Sequence, residues 1–179
     1  MSTTATPTLT GTWQLDPVHS SVEFEVAYLA GTFKGEFRDI AAQLTVEGER
    51  ARLEGSANVA SIDVKDEDLT AHLLSPEFFD VAMHPELHFT AEDIDLGGNM
   101  VSARGEITIK GVTRPVEVAG TVTAPLADPY GGERIGLRLS AVVDRTDFGV
   151  NWNNALPSGE PALANEVRIA TDLQLVKQA

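Results

Sequence analysis

Residues 101–122 read VSARGEITIKGVTRPVEVAGTV and carry the clearest fold signal in the chain. The first ten alternate strictly between apolar or small side chains and polar or charged ones, as a strand with one buried face does. Gly111 then marks a short reversal, and the alternation resumes on Val116, Val118 and Val122. The stretch therefore predicts an antiparallel hairpin with one apolar face.

The same two-residue period extends toward both ends of the chain. After a short strand at residues 12–15, eight segments alternate, at residues 22–28, 40–46, 53–59, 87–96, 101–109, 116–122, 135–143 and 167–175. Residues 64–74 instead place Leu69 and Leu73 four apart behind acidic residues, which predicts one short helix capped by Ser61 or Asp63. Eight strands joined mainly by short turns predict an all-β, antiparallel sheet closed into a barrel, because closure removes exposed edges.

The apolar faces of these strands carry many small residues, namely Ala42, Gly55, Ala57, Ala91, Ala103, Gly105, Gly120 and Ala141. An eight-stranded barrel is either filled by its side chains or just wide enough for one small ligand. A filled interior would call for Leu, Ile or Phe at these positions, so the composition favours a cavity. The alternative is a two-sheet sandwich in which the small residues face bulky partners.

Chain length and composition exclude several classes of protein. The 179 residues fit one domain, predicted at residues 11–177 after a disordered, threonine-rich lead at residues 1–10. The lack of cysteine rules out disulfides, thiolate metal sites and a cysteine nucleophile. A formal charge of −14 argues against nucleic acid as a partner. No signal-peptide pattern or bilayer-length apolar run is present, which predicts a cytoplasmic protein without stable membrane insertion.

The histidines suggest catalytic or metal chemistry only superficially. The sequence HPELH at residues 84–88 resembles a zinc-binding helix, but Pro85 opposes a helix, and on a strand His84 and His88 lie about 13 Å apart. No metal site is therefore predicted. His19 follows a turn and precedes Ser20, yet the sequence contains no nucleophile elbow. We interpret His19 as hydrogen-bonded to nearby turn backbone.

Two segments with aromatic residues are predicted to cover openings of the barrel. Phe78 and Phe79 follow the helix, and burying each ring is worth about 1.5–3 kcal/mol, so both should insert into the interior. The loop around Trp152 is predicted to cover one mouth. Arg145 is expected either to form an ion pair with Asp16 or Asp147, or to contact a ligand head group at the rim.

The chain resembles the YceI-like family, the polyisoprenoid-binding, lipocalin-like barrels of bacteria, from Trp13 to Val176. The motifs that carry the resemblance are WQLDPVHS (13–20), GTFKGEF (31–37), SID (61–63), HL (72–73), FFDV (78–81), HP (84–85), GEITIKGVTRP (105–115) and RTDFG (145–149), together with Phe24 and Phe89. Each motif is weak alone, and their order and spacing together are specific. Tyr28 departs from the pattern, because similar proteins commonly have a histidine there.

The resemblance implies an extended, eight-stranded, antiparallel lipocalin-like barrel whose pore holds an isoprenoid or similar long-chain lipid. It implies no catalytic residues and no cofactor beyond that bound lipid. The residues predicted to contact the ligand are Phe24, Val26, Tyr28, Phe33, Phe78, Phe79, Phe89, Ala103, Gly105, Leu139, Arg145, Phe148 and Trp152.

Three functional hypotheses follow. The first is non-enzymatic binding of a long-chain amphiphile, such as a polyisoprenoid, an isoprenoid quinone or a fatty-acid-like lipid, for transport, storage or sequestration. The second is an enzyme acting on an apolar substrate at the mouth with His19, His72 or Arg145 as acid, base or oxyanion donor. The third is an assembly module, which predicts a homodimer. The enzyme hypothesis requires one of the three side chains to face the cavity with a partner in hydrogen-bond reach.

Overall fold

The computed structural model describes residues 9–179. Most of the predicted lead, residues 1–10, therefore lies outside the described residues, although Leu9 packs in the core and the Thr10 carbonyl accepts a hydrogen bond from Trp13 Nε1 at 3.1 Å. The strands are β1 Gly11–Leu15, β2 Ser21–Tyr28, β3 Gly31–Phe37, β4 Ile40–Glu47, β5 Arg50–Asn58, β6 Ile62–Asp63, β7 Glu86–Ala91, β8 Met100–Ile109, β9 Val112–Val122, β10 Leu126–Ala127, β11 Glu133–Asp144 and β12 Leu163–Lys177. The helices are α1 Glu67–Leu74 and two short 3₁₀ turns, Val59–Ser61 and Arg145–Phe148.

These strands form one closed antiparallel barrel. The twelve segments make eight barrel strands, because four of these strands are each interrupted once. The interrupted strands consist of β1 and β2, of β3 and β4, of β5 and β6, and of β9 and β10. The neighbours follow chain order, and β12 closes the ring by pairing with β11 along one edge and with β1 and β2 along the other. The predicted eight-stranded barrel, with the 101–122 hairpin as β8 and β9, is confirmed over the two-sheet sandwich.

The α-helix α1 is shorter than predicted and has a different cap. It begins at Glu67 instead of residue 64, and the Asp66 carboxylate accepts a hydrogen bond from the Leu69 amide at 2.9 Å. Asp63 does not cap it, because this residue pairs with β3 as part of β6 and binds Arg38. No helix within residues 9–179 is long and apolar enough to cross a membrane.

The interior is packed differently in its two halves. At the end formed by the β4–β5 hairpin, most of the largest fully buried side chains fill the barrel, namely Trp13, Leu44, Ile135, Leu137 and Leu175. At the opposite end, α1 and the following residues 75–85 lie across the barrel opening and pack against a second apolar cluster. The space for a ligand is therefore confined to the half beneath α1.

An ionic network fixes the interruption between β1 and β2. Asp16 Oδ2 accepts hydrogen bonds from Arg134 Nη1 at 2.6 Å and from His19 Nδ1 at 2.7 Å. Arg134 Nε also donates to Asp128 at 3.0 Å. Two predictions are thereby corrected: the ring of His19 binds a carboxylate and not turn backbone, and the arginine that pairs with Asp16 is Arg134, not Arg145.

Replacing Asp16 with asparagine should make the free energy of unfolding less dependent on pH in the acid range. The hydrogen bonds from Arg134 and His19 hold the pKa of Asp16 well below its usual range. A carboxyl whose pKa is lowered by folding contributes stability above its unfolded pKa of about 3.9, and this contribution is lost as the pH falls toward the folded pKa. We expect urea unfolding at pH 7 to show a loss of about 2 kcal/mol in Asp16→Asn, and the difference from wild type to shrink below about pH 4.

Asp172→Asn is the matched control for this prediction. The Asp172 carboxylate is exposed and lies 3.6 Å from Arg138 on the outer face of the barrel, so its loss should change the unfolding free energy little at any pH. A difference between wild type and Asp16→Asn that stays constant from pH 7 into acid would contradict the linkage.

Candidate ligand-binding cavity

A cavity of about 310 Å³ lies beneath α1, and its walls are almost entirely apolar. Four of the small residues noted in the sequence, Ala42, Gly55, Ala57 and Ala141, line it, and their short side chains leave the space. Gly120 is small for another reason, since a Cβ there would lie 1.7 Å from the Arg138 carbonyl oxygen. The predicted cavity therefore exists, but only part of the small-residue pattern produces it.

The structure brings together most of the residues predicted to contact a ligand. The cavity is lined by Phe24, Val26, Tyr28, Phe33, Phe78, Phe79, Phe89, Leu139, Arg145, Phe148 and Trp152. Ala103 and Gly105 do not line it, which corrects their predicted position. Ala103 borders a separate void of about 10 Å³ deeper in the barrel, and Gly105 is covered by the Phe89 ring.

Several lining residues were not singled out from the sequence. They are apolar side chains of the strands and of α1, including Ile40, Leu69, Leu73, Leu87, Ile107, Ile109, Val116, Val143, Leu163, Val167 and Ile169. The alternation placed most of them on the apolar strand faces, and the four-residue spacing placed Leu69 and Leu73 on one helix face. The apolar–polar alternation does not determine how far along the barrel axis each residue lies.

Aromatic rings close the cavity where the chain leaves α1. Phe78 is buried, and its ring centroid lies 4.9 Å from that of His72 and 5.4 Å from that of Trp152. Phe79 packs edge-on against Phe37 at 5.8 Å, and its amide donates to the Leu73 carbonyl. Both phenylalanines therefore lie at the end of the barrel that the sequence assigned to them.

Arg145 is a buried structural anchor. Its guanidinium donates to the carbonyl oxygens of Ala164 and Val150 at 2.8 Å, of Trp152 at 2.7 Å and of Leu163 at 3.4 Å. The predicted ion pair with Asp147 is wrong, because the side chain turns into the loop. Burial without a bonded carboxylate lowers the pKa of Arg145, a shift that the nearby charge of Asp144 opposes. Arg145 thus ties the loop around Trp152 to the start of β12.

The side chains considered as catalytic candidates lie in different environments. His19 does not line the cavity and is exposed beside Asp16. His72 does line it, and its Nε2 hydrogen-bonds to the exposed carboxylate of Glu77. Tyr28 and Trp152, two half-buried residues of the cavity wall, carry a hydroxyl and an indole N–H. Among residues 9–179 no buried side-chain nitrogen or oxygen lacks a hydrogen-bond partner, so both groups are accessible to solvent.

The histidines of the HPELH sequence do not converge. The His84 ring packs over Gly111, where a Cβ would lie 2.6 Å from the ring. His88 pairs instead with Glu86, with 3.1 Å between Nε2 and Oε2. Within residues 9–179, no group of three or more His, Cys, Asp or Glu side chains is arranged to hold a metal ion.

Comparison with known proteins identifies the family. Residues 13–175 match the YceI-like domain, a span that runs from within β1 to within β12. The chain belongs to the YceI-like family. Among curated relatives, a UPF0312 protein of Pseudomonas aeruginosa is 27% identical over 149 residues, which are 81% of this chain and 78% of the relative.

Solved structures of similar fold agree with this YceI-like architecture. Burkholderia cenocepacia BcnA superposes with a TM-score of 0.74 at 23% identity, covering 92% of this chain and 99% of BcnA. A polyisoprenoid binding domain from Saccharophagus degradans, implicated in plant cell wall breakdown, superposes with a TM-score of 0.68 at 11% identity and covers 93% and 98% of the two chains. At these identities the likeness extends to the fold.

Proposed function

We propose that this YceI-like protein binds one amphiphile, with the apolar chain in the cavity and the head group at the mouth, and carries, stores or sequesters it unchanged. The observation that carries the proposal is the apolar cavity, which ends below at a solid core and has its mouth at the end where α1 and Trp152 lie. Likeness to the polyisoprenoid binding domain of Saccharophagus degradans supports a polyisoprenoid, an isoprenoid quinone or a fatty-acid-like lipid as the ligand.

The energetics support affinity from the cavity wall. Burying one methylene is worth about 0.8 kcal/mol, so about ten buried carbons gain on the order of 8 kcal/mol before the cost of association. One neutral hydrogen bond at the mouth adds only about 1 kcal/mol. Affinity would therefore come from the chain, and discrimination among ligands from the mouth.

A non-enzymatic role fits the polar groups better than catalysis does. His19 lies outside the cavity, and the Arg145 donors are engaged by backbone carbonyls. His72 meets the requirement of facing the cavity with a partner, Glu77, but the nearby Ser75 hydroxyl donates to the His72 carbonyl at 2.6 Å and is not directed at the imidazole. The His72 ring also makes edge-on contacts with the rings of Phe78 and Trp152, which gives this residue a structural role.

Organic extraction of the purified protein should release a lipid, identified by mass spectrometry, at about one molecule per chain. Ala141→Phe should reduce this content at least tenfold, because Ala141 lines the cavity and the added ring would fill it. Val142→Phe is the matched control, since Val142 is 47% exposed on the outside of the same strand. A wild-type protein that neither carries nor takes up isoprenoids or fatty amphiphiles would rule out the proposed function.

A further inference from the structure

Phe89 forms the floor of the cavity. Together with Leu53, Val118 and Leu139 it borders both the main cavity and the small void below, so it lies between them. Its ring extends over Gly105, where a Cβ would lie 2.9 and 3.0 Å from two ring carbons. Phe89 thus occupies interior space that a side chain at position 105 would otherwise take.

Below this floor no further room is available for a chain. The void there measures about 10 Å³, and beneath it lies the solid half of the barrel around Trp13 and Leu44. Above the floor, about 310 Å³ corresponds to roughly ten groups the size of a water molecule or a methylene. The depth of Phe89 therefore limits the buried length of any ligand.

Within residues 9–179, no free lysine or arginine lines the cavity. Arg145 is the one such residue in that part of the chain, and its guanidinium is engaged by four carbonyl oxygens. The Glu77 carboxylate adjoins His72 on the other side. A carboxylate or phosphate head would lose hydration there without gaining a counter-ion. The solvent-accessible hydroxyl of Tyr28 and N–H of Trp152, both on lining residues, can instead donate to a neutral oxygen.

We propose that the cavity selects an amphiphile with an uncharged, hydrogen-bond-accepting head, such as an alcohol, a carbonyl or a quinone, and buries about ten carbons of its chain. Phe89 sets that length, so it is a specificity-determining residue. A longer chain leaves its remainder outside the mouth. This inference rests on the proposed function, and it adds a limit of chain length and a head-group class to it.

Titration calorimetry with a series of straight-chain 1-alcohols, from about six to about sixteen carbons, tests the length. In wild type, Kd should fall about fourfold for each added methylene and then level off near ten carbons. Phe89→Ala removes six ring atoms, so the plateau should move to chains longer by about four to six carbons. Phe89→Leu, a milder change, should move it less.

Phe33→Ala is the matched control, because it deletes the same ring from the wall on β3, opposite Val26 and away from the floor. It should weaken all alcohols and move the plateau less than Phe89→Ala does, because the space it opens lies beside the ligand and does not connect to the void below the floor. For the head group, the carboxylate with the same chain should bind wild type at least tenfold more weakly than the alcohol at pH 7.

Four outcomes would count against the length limit, the head-group assignment or the proposed function, and each points to one of the three. Affinity that continues to rise beyond about ten carbons in wild type, or an unchanged plateau in both folded Phe89 variants, would overturn the length limit. A carboxylate that binds as tightly as the alcohol would overturn the head-group assignment. Binding of no alcohol or carboxylate at any length would instead reject the proposed function.

Discussion

Replacing Arg145 with methionine should lower the free energy of unfolding by about 3 kcal/mol. Each of its four hydrogen bonds to backbone carbonyls is worth about 1 kcal/mol, and the carbonyls that stay buried would lose their donor. Methionine recovers part of this loss, because it removes a guanidinium that is buried without a bonded carboxylate. The net effect remains destabilising, since one side chain holds carbonyls from two separate segments. Urea unfolding followed by tryptophan fluorescence measures it.

Arg145→Lys separates the charge of this residue from its geometry. Lysine keeps the positive charge but lacks the planar fork that reaches several carbonyls at once, so it should destabilise nearly as much as methionine. Arg168→Met is the control, because Arg168 is exposed on β12 and lies 3.7 Å from Glu25, and its loss should be nearly neutral. If Arg145→Lys retained wild-type stability, the positive charge of Arg145, and not its hydrogen-bonded fork, would explain how this residue stabilises the loop.

The barrel could be predicted because its signal is local. Strict alternation along residues 101–122 determines which side chains face inward, and short turns determine which strands pair. The hydrogen-bond partners of Arg145 could not be predicted in this way. Its acceptors are backbone carbonyls of residues 150–164, and any residue type supplies a carbonyl, so the sequence carries no sign of them.

The errors in the candidate site share a physical cause. Ala103 and Gly105 lie on the apolar face of β8, as their alternation predicts, but their height in the barrel depends on strand stagger. The ring of Phe89, on the neighbouring strand, covers Gly105, so the glycine lies behind this ring and does not line the cavity. The helix start differs for a similar reason, because pairing of Asp63 with β3 delays the helix to Glu67.

Phe78→Ala should lower the free energy of unfolding by about 3 kcal/mol, since deletion of a buried phenylalanine ring costs about 3–5 kcal/mol and solvent can enter near this mouth. The melting temperature should fall by roughly 6–12 °C in a chain of this size. Met83→Ala in the same segment is the control, because Met83 is 72% exposed and its truncation should change stability little.

The same Phe78→Ala variant should release a bound ligand at least tenfold faster, measured by stopped-flow transfer of a fluorescent alcohol to vesicles. Phe78 contacts His72 on α1 and Trp152 on the loop held by Arg145, so it joins the two elements that cover the cavity. Without the ring, these elements can separate while the solid half around Trp13 stays packed, and opening of the mouth would become easier than global unfolding. A variant that loses stability yet releases ligand at the wild-type rate would show that Phe78 belongs to the core and does not control the mouth.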